Sequence, residues 1–169
     1  MPNIHKVFEA LIGQPVWGSR LGVGSFLTME FGKPHLEIRE PRKSLKNRRI
    51  TPRGEWHFWV YCCAWKAHIG DGLYVTSEED RNSLQKVPDF LDGQILLSTK
   101  SDTGNVKFTL EFDLGGSIDL YPYNGDEISE MWLLYHSPDV WTCTSDGKIN
   151  LSNENDAPLD YTTEDPPIN

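Results

Sequence analysis

Between Val106 and Leu114 the chain alternates strictly, with Val106, Phe108, Leu110, Phe112 and Leu114 set against Lys107, Thr109, Glu111 and Asp113. A period of two is the period of a β-strand, whose successive side chains point to opposite faces. The segment therefore predicts a strand with one buried and one wet face. Gly115-Gly116 follows, then Ile118 to Tyr121. Two turn-forming residues between alternating runs predict a hairpin, with Ile118 and Leu120 joining the inward set. A chain built around such a unit is expected to bury its apolar residues by antiparallel pairing.

Other segments carry the same texture. Val16 to Arg20, Ser25 to Phe31, His35 to Arg39, Gln94 to Ser98, Ile128 to His136, Trp141 to Thr144 and Lys148 to Leu151 all read as strands. In His35–Arg39 the alternation places Leu36 and Ile38 inward and His35, Glu37 and Arg39 outward. Trp56 to about Ile69 reads as one long strand that is apolar on both faces. Such a strand sits centrally in its sheet or is covered on both sides. Helical spacing is confined to two places. Ile4, Val7, Phe8 and Leu11 recur at helical intervals, and the run Ser77-Glu78-Glu79-Asp80 is a suitable opening for a second helix, which Pro88 is expected to end early. The fold class expected is mainly β, or β-dominated α+β. Its antiparallel meanders would curl into a partial barrel or pack as two sheets, with one or two short helices. Residues 1–152 form a single β-rich domain, a size that buries a core without disulfides. Residues 153–169, acidic and poor in apolar side chains, are expected to be a disordered tail.

The two halves share text. Thr28-Met29-Glu30-Phe31 aligns with Thr109-Leu110-Glu111-Phe112, and after a turn Leu36-Glu37-Ile38 aligns with Ile118-Asp119-Leu120. A duplicated unit with pseudo-two-fold symmetry explains the match, and so does the chance likeness of two amphipathic hairpins.

Charge is distributed unevenly. The net charge is −9, yet Arg39, Arg42, Lys43, Lys46, Arg48, Arg49 and Arg53 place seven of the sixteen basic residues within fifteen positions. Glu40 is the one acid among them, so this window carries +6 and the remainder −15. With Pro41 and Pro52 and no periodicity, residues 41–53 read as an exposed loop. Arg42, Lys43, Lys46, Arg48, Arg49 and Arg53 are its candidate binding residues, for a protein partner or a small anion. Nucleic acid is disfavoured, because the chain is acidic overall and no aromatic is interleaved for base stacking. A second candidate is an aromatic concavity containing Trp59 and Trp65, which would take a small molecule or carbohydrate.

No pattern points to catalysis, a metal or a cofactor. His5, His35, His57, His68 and His136 lack metal-site spacing. His57 and Cys63 share a strand face but lie about 20 Å apart along an extended strand. Cys62, Cys63 and Cys143 read as free thiols in a reducing compartment, which places the protein in the cytoplasm. Glu30, Glu37, Glu111, Asp113 and Asp119 read as outward, solubilising carboxylates. The start of the chain lacks the apolar stretch of a secretory signal, and no run approaches the length of a membrane span.

From Leu110 through LEFDLGGSIDLYPY to EMWLLYHSPDVWTCTSDGKI, the chain resembles small uncharacterised bacterial β-meander proteins, some of them thought to be immunity proteins of secreted toxins. The resemblance spans residues 106–151 and brings no site residues with it. It implies a bacterial, non-catalytic binding protein that neutralises a toxin by protein–protein contact, its acidic surface facing a basic toxin. The alternatives are the small-molecule or carbohydrate binder and, third, a small enzyme of unknown reaction. The oligomeric state is left open.

Overall fold

A computed structural model describes residues 4–41, 43, 46–102, 104, 106–125 and 127–156. Within them the chain is β-dominated, with thirteen strands in three antiparallel sheets and no closed barrel. Six strands form the larger sheet: β1 (Trp17–Leu21), β2 (Leu27–Phe31), β5 (Trp56–Val60), β11 (Glu130–His136), β12 (Asp139–Thr144) and β13 (Ile149–Asn153), in spatial order β1-β2-β5-β11-β12-β13. Five form the second sheet: β6 (Ala64–Ile69), β7 (Tyr74–Thr76), β8 (Leu96–Ser101), β9 (Phe108–Phe112) and β10 (Gly116–Tyr121), in the order β7-β6-β10-β9-β8. A separate pair, β3 (His35–Arg39) and β4 (Arg49–Arg53), forms a two-stranded ribbon. The helices are α1 (Ile4–Phe8), continued by a 3-10 turn, and α2 (Arg81–Leu91). No described helix is long and apolar enough to cross a membrane.

The two large sheets share one core. Met29, Phe31, Phe58, Trp132 and Leu134 of the first meet Trp65, Ala67, Phe108, Leu110, Ile118 and Leu120 of the second. Phe8 of α1 fills the space between them, with its ring 5.3 Å from Phe58, 4.9 Å from Phe108 and 5.3 Å from Trp132. The predicted hairpin is present with the predicted face: Phe108, Leu110, Phe112, Ile118 and Leu120 are buried. Lys100–Glu111 and Lys107–Asp119 ion pairs line its wet side. Its turn differs from expectation. Gly116 already belongs to β10, so the loop is Asp113-Leu114-Gly115 and Leu114 is exposed rather than inward. Gly115 takes a φ of +87°, while a side chain on Gly116 would collide with Leu91 and Gln94 beneath it.

The segment expected as one long strand is two. At Tyr61-Cys62-Cys63 the chain leaves the six-stranded sheet and enters the five-stranded one, and Cys63 N–H turns back to the Tyr61 carbonyl at 2.9 Å. Each half does sit inside its sheet, β5 between β2 and β11 and β6 between β7 and β10. Pro88 does not stop α2. Asp80 caps its start through Asn82 and Ser83 N–H groups, Pro88 is buried, and Asp92 N–H still bonds to the Pro88 carbonyl. Tertiary packing outweighs the lost donor here.

The aligned halves are not equivalent. β9 pairs with β10, whereas β2 pairs with β1 and β5 and leaves β3 to pair with β4. The shared text is two amphipathic strands placed in different pairings. At the carboxyl end, β13 runs through Asn153 and a 3-10 turn covers Glu154–Asp156. The rest of the expected tail, residues 157–169, lies outside the described residues.

Candidate docking ribbon

The β3–β4 ribbon is in register from His35↔Arg53 to Arg39↔Arg49, with Leu36 opposite Pro52, Glu37 opposite Thr51 and Ile38 opposite Ile50. Opposed residues share a face. Leu36, Ile38, Ile50 and Pro52 therefore form one side and His35, Glu37, Arg39, Arg49, Thr51 and Arg53 the other. The side expected to be inward is the outer one: Leu36 is 65% exposed and Ile38 and Ile50 are each 55% exposed. The polar side faces the protein, where Thr51 and Arg53 are buried.

An ion cluster causes this inversion. Arg53, with 6% of its side chain exposed, places Nη1 3.1 Å from Glu30 Oε1 and Nε 2.9 Å from Glu37 Oε2. His57 Nδ1 lies 2.7 Å from the same Glu30 oxygen, and the Gly54 N–H donates to Glu30 Oε2 at 2.9 Å. A carboxylate only accepts, so His57 Nδ1 carries the proton in that bond. Arg39 Nε closes the outer end of the cluster on Glu37 Oε1 at 2.6 Å. Buried charge persists only where it is paired and hydrogen-bonded, and both oxygens of both glutamates meet donors. Burial pushes the Glu30 carboxyl up, but His57, Gly54 N–H and Arg53 together outweigh it and hold Glu30 below the ordinary carboxylate range. Glu37 is lowered in the same way, with burial opposed by Arg39 and Arg53.

Glu30 reaches this cluster because β2 and β5 pair with Glu30 opposite His57, on the face of the six-stranded sheet away from the main core. That face carries a second apolar cluster of Trp59, Leu133 and Val140, flanked by Phe26, Tyr61 and Tyr135. Gly54 stands at the junction of β4 and β5, where a side chain would run into the Phe31 backbone. The cluster thus fastens the base of the ribbon to β2 and β5. It is not arranged for catalysis, since Glu30, His57 and Arg53 are all buried and an acid–base pair needs access to a substrate.

The six basic residues singled out in the sequence separate into distinct roles. Arg53 is not exposed: it is the buried centre of the clamp. Arg49 is half-buried in β4, so the carboxyl end of the expected loop is a strand. Lys43 and Lys46 are exposed at the tip, and Arg48, also exposed, holds Glu40 through Nε at 3.0 Å. Arg42 lies outside the described residues. The aromatic concavity fails on burial, because Trp59 and Trp65 are both fully enclosed, Trp59 in the second cluster and Trp65 in the main core. Glu30 was misread as a solubilising surface carboxylate. A lone acid in Leu27–Phe31 and a lone His in Trp56–Val60, two strands with no other charged or titratable side chain, were the available signal.

Elsewhere the surface offers less. An open depression of about 420 Å³ between α1 and β8 is lined by His5, Lys6, Glu9, Ile12, Leu97, Ser98 and Thr99. Among the described residues no group of His, Cys, Asp and Glu could hold a metal ion. Burial raises the thiols of Cys63 and Cys143, the latter to about 12, which leaves neither nucleophilic at neutral pH. No family model matches the chain, and no curated protein and no solved structure is significantly similar to it.

Proposed function

We propose that this is a non-catalytic cytoplasmic binding protein that docks another protein on the outer face of the β3–β4 ribbon. The observation that carries this reading is the inverted ribbon, whose four apolar residues face solvent while a buried ion cluster holds its polar side down. Contiguous exposed apolar side chains rimmed by charge are the composition of a protein-binding patch. The clamp keeps that patch in one conformation, which lowers the ordering cost of association. Lys43, Lys46 and Arg48 beside it favour an acidic partner and speed the encounter. A second copy of the chain is disfavoured on this face, because it would bring two basic tips together.

An immunity protein is one instance of such a module. The ribbon's charge points to a target with an acidic rim, not to the basic toxin that the overall charge of −9 would favour. Ile38→Glu combined with Ile50→Glu tests the reading. The substitutions lie on an exposed face, so Tm stays within about 3 °C of the parent. Affinity for the partner falls by roughly 100-fold or more, the effect of losing two central contacts. A partner that binds this variant as tightly as the parent overturns the reading.

A further inference from the structure

Resting on that docking face, we propose that β3 offers its outer edge to an extended acidic segment of the partner, which joins the ribbon as a third strand. The hydrogen-bond phase of the ribbon supports this. Residues opposed in an antiparallel pair alternate between exchanging hydrogen bonds and pointing their N–H and C=O groups outward. Proline has no N–H, so the Leu36↔Pro52 pair is of the second kind, and by alternation so is Ile38↔Ile50. Leu36 and Ile38 therefore direct their N–H and C=O groups away from β4, and among the described residues no further strand receives them.

The two edges of the ribbon are not alike. On β4 the outward positions are Ile50 and Pro52, and Pro52 withholds one of the two donors and blunts that edge against pairing. On β3 the corresponding positions are Leu36 and Ile38, with both donors in place. A strand added there continues the ladder and sets every second side chain beside Leu36 and Ile38, on the exposed apolar face. The intervening side chains fall on the face of His35, Glu37 and Arg39, near a tip that carries Lys43, Lys46 and Arg48. The sequence such an edge accepts alternates apolar and acidic residues. Two β3 edges pairing with each other would place two basic ribbons side by side, so charge selects an acidic strand over a second copy.

The probe is an acetylated octapeptide of alternating Glu and Val, titrated into the isotope-labelled full chain and followed by backbone amide signals and their hydrogen exchange. Its Lys–Val counterpart is the charge control. The expected result is slowed exchange at the Leu36 and Ile38 amides with the Glu–Val peptide and no binding of the Lys–Val peptide. Ile38→Pro and Ile38→Ala both remove the side chain, but only the first removes the outward N–H. Ile38→Pro should weaken binding roughly tenfold more than Ile38→Ala, the effect of one backbone hydrogen bond. Retained protection of the Thr51 amide, which lies in the bonded phase, confirms that the ribbon survives in each variant. Equal affinities for the Pro and Ala variants, with shifts confined to the ribbon, overturn strand addition and leave the docking face standing. No perturbation anywhere in residues 35–53 overturns both. Slow exchange at Leu36 and Ile38 in the peptide-free chain that is lost when the chain is ended at Asp156 reassigns the edge to the chain's own carboxyl-terminal segment and overturns the external partner.

Discussion

Glu30 keeps a negative charge in the protein interior because three donors converge on it: His57, Gly54 N–H and Arg53. Its carboxyl is held below the ordinary range, so the folded chain binds its proton less readily than the unfolded chain does. The stability this contributes is fully present above about pH 4.5 and is lost as pH falls through the lower folded value. In Glu30→Gln that pH dependence flattens: urea midpoints of parent and variant, measured from pH 7 down to pH 3, should converge toward the acid end. A constant difference across the range would show that folding leaves the Glu30 carboxyl unshifted, and a parent that gains on the variant toward pH 3 would show that the buried carboxyl is neutral. Arg53→Met should cost roughly 3–5 kcal/mol at pH 7, because it leaves Glu30 buried without its cation. At this scale the sequence was least legible. Arg53 is chemically indistinguishable from Arg48 on the page, and only the pairing of β2 with β5 reveals that one is buried and the other is not.

Strand faces were readable wherever one side of a strand is wet and the other packs on the main core. The β9–β10 hairpin is the clear case, with its alternation, inward set and antiparallel pairing as expected. Phe112→Ala there should cost roughly 3–5 kcal/mol by chemical denaturation, the range for a buried Phe, and a cost under about 1 kcal/mol would mean that the face is misassigned. In β3 the same rule pointed the wrong way, because alternation distinguishes two faces without saying which one is buried. There the deciding energy is the ion cluster under Glu37 and Arg53, formed with residues on β2 and β5 that are distant in sequence. The corner at Tyr61–Cys63 was hidden for a related reason. No Gly or Pro marks it, and its backbone bonds go to Met131 and Glu130 of β11.

At the scale of the whole molecule, two sheets and α1 enclose one core, and the ribbon stands apart as the element that core packing does not explain. The fold class followed from alternation and turn residues, since burying several one-sided strands leaves few arrangements other than packed antiparallel sheets. The candidate site was legible only as a charge anomaly. Its basic residues proved to be partly a clamp and partly a rim, and the apolar face between them was taken for core. Docking on that face is the central claim, and backbone hydrogen exchange, measured for the protein alone and in complex with its purified partner, tests it most directly. The account predicts that new protection concentrates in residues 35–53 and reaches the Leu36, Ile38 and Ile50 amides, with β9, β10 and β13 unchanged. Protection centred on the α1–β8 depression or the β13 edge, with the ribbon exchanging as it does in the protein alone, would contradict it.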